Sequence, residues 1–151
     1  MKNKIIRIIV ILAIAVIIID QVSKLLIIKN GLTMQIGEFV KIEQTLNTGM
    51  ALGLNEGNMR NAIIMILVLA IVIAFIKNQL ERIDTKTAVS VGLILGGGLS
   101  NLIDRFTRQG VVDFLSIYKF PTINLADCFI FIGWVLFIVF LIMYTRQKVG
   151  E

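Results

Sequence analysis

The chain has 151 residues, 57% of them hydrophobic, with a net charge of +5, one proline and a mean hydropathy of +0.89. That length fits one domain, and that apolarity lies outside the range of soluble globular chains, so long apolar runs read as membrane spans. There is no histidine and one cysteine, Cys128, which excludes Ser-His-Asp and Cys-His catalysis, histidine-held metals, intrachain disulfides and multi-cysteine clusters. No basic run with interleaved aromatics is present, so the positive charge reads as the flanks of membrane spans and not as a nucleic-acid surface. No metal and no cofactor is expected.

The opening MKNKIIRIIV has the basic-then-apolar form of a secretory signal. The apolar pattern runs on over 8–28, however, interrupted only around 20–24, and no A-x-A-like cleavage site follows. About 21 residues at ~1.5 Å rise give roughly 32 Å, enough to cross the hydrocarbon, so 8–28 is the first expected span. Next, Val40, Ile42, Gln44 and Leu46 alternate with Phe39, Lys41, Glu43 and Thr45, a period of two that predicts a strand. Asn47-Thr48-Gly49 supplies turn chemistry after it. Segment 30–59 is therefore expected as short strands on the membrane surface.

The unbroken apolar run 62–76 centres a second span over about 60–77, and 77–86 is a short charged loop. A third span, about 87–104, carries Gly92, Gly96, Gly97, Gly98 and Ser100. Small residues in a membrane helix let a neighbour approach closely. A phosphate-cradling loop is the other reading of three glycines, but neither a preceding strand nor a following lysine supports it. Segment 105–124 is a second surface segment, expected as helix or loop, and 125–144 is the fourth span. The fold class expected is a mainly α membrane protein, one domain over 1–151. It has four transmembrane helices, a small β-rich element and a helix/loop segment at the extracytoplasmic surface.

Lys2, Lys4 and Arg7, then Lys77, Arg82 and Lys86, then Arg146 and Lys148 fall on one side of such a bundle. The other side has Lys29, Lys41, Arg60, Arg105, Arg108 and Lys119. The bias of eight to six is small, but the first set lies in short, dense flanks, which places both termini in the cytoplasm. Every informative polar group then falls at the outer face: Asp20 in span one, Asn47 in the first outer segment, Asn101, Asp104 and Arg105 ending span three, Asp113 in the second segment, and Asn124 and Asp127 opening span four.

A charge at the bilayer centre costs about 2.5–3.5 kcal/mol on insertion scales, so each such group calls for a reason. Asp20 and Lys24 are four apart on a helix and can neutralise each other. Asn101 and Arg105 share a face; Arg105 is either an interfacial anchor or a cation for a carboxylate or a substrate carbonyl. Asp104 points about 100° away from Arg105 and is expected to brace a loop. Asn124-Leu125-Ala126-Asp127 has the form of a capping box after Pro121. Asp113 is flanked by Val111, Val112, Phe114 and Leu115, which press it into an apolar setting where a lone charge is costly. Cys128 reads as a packing residue, since no base is present to form a thiolate. Ser23 and Lys24 are adjacent on a helix and do not face each other as a nucleophile–base pair would.

The remaining chemistry is a carboxylate pair. Two close aspartates share a proton, so one draws a proton from water while the other donates to a carbonyl, with neither histidine nor metal. Asp113 and Asp127 are the natural pair. A proton-coupled transporter, with membrane carboxylates as relay, and a non-catalytic membrane assembly factor are the alternatives.

The pieces DQVSK at 20–24, NTGMALG at 47–53, GGGLSNLIDR at 96–105, VVDF at 111–114 and INLAD at 123–127 resemble, in order, those of the lipoprotein signal peptidases (prolipoprotein signal peptidase, signal peptidase II). The resemblance spans nearly the whole chain. It implies an aspartic endopeptidase of the bacterial cytoplasmic membrane that removes signal peptides from diacylglyceryl-modified prolipoproteins, on the amino side of the lipidated cysteine. It puts the catalytic dyad at Asp113 and Asp127, and supporting residues at Asp20, Lys24, Asn47, Gly49, Asn101, Arg105, Asn124 and Ala126. It implies membrane lipids as surroundings and globomycin-type cyclic peptides as inhibitors. Met50 stands where such proteins commonly have Ala, Leu52 where they have an aromatic, and Ser100 where they have Gly; these touch the shape of the substrate groove and remove no catalytic group.

Overall fold

A computed structural model describes residues 2–49, 58–79 and 83–149. Four helices dominate: α1 Lys2–Asn30, α2 Asn58–Gln79, α3 Thr85–Arg108 and α4 Leu125–Val149. All four contain a stretch long and apolar enough to cross a membrane. The apolar side chains that coat them face outward: Phe131 is 70% and Ile71 68% exposed, as expected of surfaces solvated by lipid. The helices extend past the apolar runs into their polar flanks, because backbone hydrogen bonding continues wherever no breaker intervenes.

The central helix is α3, which packs along both α1 and α4. Its glycines make this possible. A Cβ on Gly96 would lie 2.8 Å from the Ala13 carbonyl of α1, and one on Gly97 would lie 2.5 Å from the Ala126 carbonyl of α4. The backbones therefore meet with no side chain between them, as the small-residue pattern predicts. An apolar core of Ile5, Ile9, Leu69, Ile76, Val91 and Leu95, among others, fills one end of the bundle.

The opposite end carries a three-stranded antiparallel sheet in the order β1-β2-β3, with β1 Met34–Ile36, β2 Val40–Asn47 and β3 Val111–Ile117. Strand β2 falls where the alternation predicts it. Strand β3 differs from the helix or loop expected over 105–124. The first residues of that segment, through Arg108, continue α3, and 111–117 then pair with β2. Gln109 stops the helix in the left-handed conformation (φ 60°), a position usually given to glycine. The chain reverses there, so Asp113 comes to lie opposite Thr45, and Val111 opposite Asn47. A register shift between Ile42 and Thr45 re-aims this end of the sheet. Backbone pairing of Leu115 with Ile123 ties β3 to the start of α4.

Candidate functional site

Helix α4 begins with the expected capping box, and both of its bonds form. The Asn124 Oδ1 accepts the Asp127 N–H at 2.9 Å, and Asp127 Oδ2 accepts the Asn124 N–H at 3.3 Å. Capping does not exhaust either side chain. Asp127 Oδ1 also accepts from Asn101 Nδ2 of α3 at 2.8 Å. Asn124 Nδ2 donates to Asp113 Oδ1 at 2.6 Å and to Asn101 Oδ1 at 3.1 Å. From β2, Asn47 Nδ2 donates to Asp113 Oδ2 at 2.9 Å. The orientation of that amide is set by a local turn, in which Asn47 Oδ1 accepts the Gly49 N–H at 3.1 Å.

Asp113 and Asp127 thus line one cleft of about 880 Å³. Each of their four carboxylate oxygens receives an N–H from the scaffold. A carboxylate offers about four lone-pair sites, so both retain capacity for a further partner from the cleft. Asp113 is 2% exposed. Burial pushes its carboxyl up to about 6; the Asn47 bond pulls in the opposite sense, and the Asp127 charge adds to the rise. Asn47 and Arg105 join the aspartates in the lining, with Phe131 and Trp134 on the apolar side.

Behind this layer lies a buried ionic one. Lys24 is fully buried, with its Nζ 2.7 Å from Asp20, 2.9 Å from Asp104 and 3.1 Å from Asn101 Oδ1. The Asp20–Lys24 pairing expected from the sequence forms, with a second carboxylate added. Asp20 accepts the Ala126 N–H of α4 at 2.9 Å and the Ser100 hydroxyl at 2.7 Å. Asp104 does brace a neighbouring segment, since it accepts the Val112 N–H of β3 at 3.0 Å. Its other oxygen accepts from Gln21 at 2.8 Å and from Arg108. One charge cluster therefore fixes α1, α3, α4 and β3 together.

Arg105 is buried at the end of α3. Its Nη2 donates to the Gly49 carbonyl at 2.7 Å and its Nε to the Met65 sulfur at 3.3 Å, clamping the Asn47-Thr48-Gly49 turn while it lines the cleft. Ser23 Oγ donates back to the Asp20 carbonyl at 2.7 Å, so it is occupied by its own helix. Cys128 is a half-buried free thiol. Met50 and Leu52 lie outside the described residues. Among the described residues no three His, Cys, Asp or Glu side chains converge as a metal site needs.

Residue by residue, all ten expected site positions come to one end of the bundle. Three contributors went unforeseen: Gln21, Arg108 and Asn61, whose Nδ2 donates to the Thr48 carbonyl at 3.3 Å. Arg108 stands four residues after Asp104 and Gln21 three before Lys24, and both spacings put side chains on a common helix face. Asn61 has no comparable local signal.

Four apolar helices around a buried polar cluster, with a small sheet over it, define an integral membrane protein with a formed polar cleft. The sequence profile of the family described as signal peptidase (SPase) II matches residues 12–143, and the chain belongs to that family of peptidases. Two solved structures described as bacterial membrane enzymes, obtained by the in meso method at 2.3 and 1.9 Å resolution, are similar to it. The first is 33% identical with a TM-score of 0.80, covering 93% of this chain and 90% of its own. The second is 33% identical with a TM-score of 0.75, covering 88% and 91%.

Proposed function

We propose that the protein is an aspartic endopeptidase that cleaves diacylglyceryl-modified bacterial prolipoproteins on the amino side of the lipidated cysteine. Asp113 and Asp127 are the catalytic pair in this reading. The observation that carries it is their arrangement: two carboxylates in one cleft, bridged by Asn124 and Asn101, with an amide N–H on each of the four oxygens.

The pair shares one proton. Its ionised member takes a proton from water, and the resulting hydroxide attacks the scissile carbonyl. The protonated member donates to the carbonyl oxygen as charge develops there, and a proton then passes to the leaving amine. Asn47, Asn101 and Asn124 hold the carboxylates in place; Arg105 and the Gly49 turn wall the substrate side. The protein resides in the bacterial cytoplasmic membrane, with both termini in the cytoplasm and the cleft near the far face. A signal peptide enters from the bilayer while its n-region stays in the cytoplasm.

The test uses purified protein in lipid with a diacylated prolipoprotein, reading signal-peptide release by gel shift. Cleavage is expected, and a globomycin-type cyclic peptide is expected to block it. Asp113→Asn and Asp127→Asn should each lower turnover by about 10³-fold, within the range of general acid–base contributions, while still inserting and folding. Wild-type turnover by either variant removes that residue from the catalytic pair.

A further inference from the structure

A second cavity, of about 320 Å³, opens toward the other end of the bundle between α2, α3 and α4. Ile71, Val72, Thr87, Ile94, Trp134 and Phe137 are among its lining residues, and its exposed surface is wholly apolar. It exists because, among the described residues, α2 and α4 make no close backbone approach to each other, although both contact α3. Trp134 lines this groove and also the cleft that holds Asp113 and Asp127. The two spaces are therefore neighbours along one side of α3.

We infer that the apolar groove receives one acyl chain of the lipidated cysteine and makes cleavage depend on chain length. The inference rests on the peptidase reading above. Size selects the occupant. One turn of a helix about 10 Å across and 5.4 Å high displaces roughly 420 Å³, more than the whole groove, so a signal helix does not fit within it. A flexible alkyl chain does.

Depth points the same way. Along α3, Ile94 lies seven residues and Thr87 fourteen residues from Asn101, or about 10 and 21 Å at the helical rise. Half of a hydrocarbon core about 30 Å thick, roughly 15 Å, is the depth an ordinary acyl chain fills. A palmitoyl chain anchored at the cleft thus ends inside the groove, and an octanoyl chain stops near its mouth. Lipid tails solvate the chain equally well outside, so the gain comes from packing and from tethering beside the reacting atoms. The expected selectivity is accordingly modest.

The experiment compares kcat/KM for two forms of one prolipopeptide, dipalmitoylglyceryl and dioctanoylglyceryl, in the same bilayer. Wild-type protein should prefer the long chains about five- to tenfold. Ile94→Phe, at the depth that only the long chain passes, and Ile71→Phe, at the lipid-exposed rim, should each bring that ratio to within twofold of unity, with the change carried by KM. An unchanged ratio in both folded variants means that bulk lipid occupies the groove and overturns the inference. A parallel loss on both substrates means that signal-peptide side chains occupy it, and overturns the inference equally. If folded wild-type protein cleaves neither substrate, the peptidase reading falls with it; if it cleaves both at equal rates, only the acyl groove falls.

Discussion

Asp113 shows how a single carboxyl is tuned by what surrounds it. Burial raises it to about 6, while the amide of Asn47 favours its charged form. If the singly protonated pair is the working form, kcat/KM falls as pH rises past about 6, where the second proton leaves the pair. Asn47→Ala withdraws a donor from the carboxylate, so the ionised form loses support and its pKa climbs. The alkaline limb of the pH–rate profile should then move up by about one unit, and kcat should drop as positioning is lost. A limb that moves down, or stays, would show that Asn47 does not act on the titrating group. Asp113 was legible in the sequence as a charge among apolar neighbours, and Asp20–Lys24 and Asn124–Asp127 were legible because their partners are three or four residues apart. The contact between Asn47 and Asp113 spans 66 residues and is fixed by strand register, which no local spacing encodes.

At the scale of elements, the face of α3 decides how close α4 can come. Gly97 and Gly98 are adjacent, yet they ask for different things. A Cβ on Gly97 meets the Ala126 carbonyl at 2.5 Å and Ile130 Cγ1 at 2.6 Å, whereas one on Gly98 meets only the Leu69 Cδ2 methyl at 2.9 Å. A carbonyl held in a helix cannot retreat without its helix, but a methyl can rotate. Gly97→Ala should therefore cost about 1–3 kcal/mol and lower turnover more than tenfold, since the displaced backbone carries Asp127. Gly98→Ala should stay within about 1 kcal/mol of wild type. Thermal melts and turnover on the two variants check the contrast, and equal behaviour would contradict the packing described. Strand β3 was the element not read from the sequence, and the reason is physical. Val111 to Phe114 are all buried, so no polar face marks a period of two.

For the whole molecule, the ionic cluster around Lys24 is the joint at which three helices and a strand are held. Lys24→Met leaves Asp20 and Asp104 buried around an apolar side chain. Removing one partner of a buried ion pair costs about 3–5 kcal/mol, which in a chain of this size lowers Tm by roughly 10 °C. The double variant Asp20→Asn/Lys24→Met removes one orphaned charge and should melt above the single variant. The reverse order would mean that Asp20 is satisfied without Lys24. The four spans were legible from apolar runs alone. The cluster was legible in part, since the sequence shows the pair on α1 and cannot show that Asp104 arrives from 80 residues further on.

Asn101 has one further consequence. Lys24 has only hydrogens to offer, so the Asn101 carbonyl must turn toward it and the amide hydrogens must turn toward Asp127. The side chain works as an insulator as well as a spacer. It hands the carboxylates a neutral donor and keeps a full positive charge one side chain away. An ammonium pressed directly against two close carboxylates would favour the charged form of both. In the proposed peptidase, that spacing would let a strong charge fix geometry and still leave one proton for the pair to share.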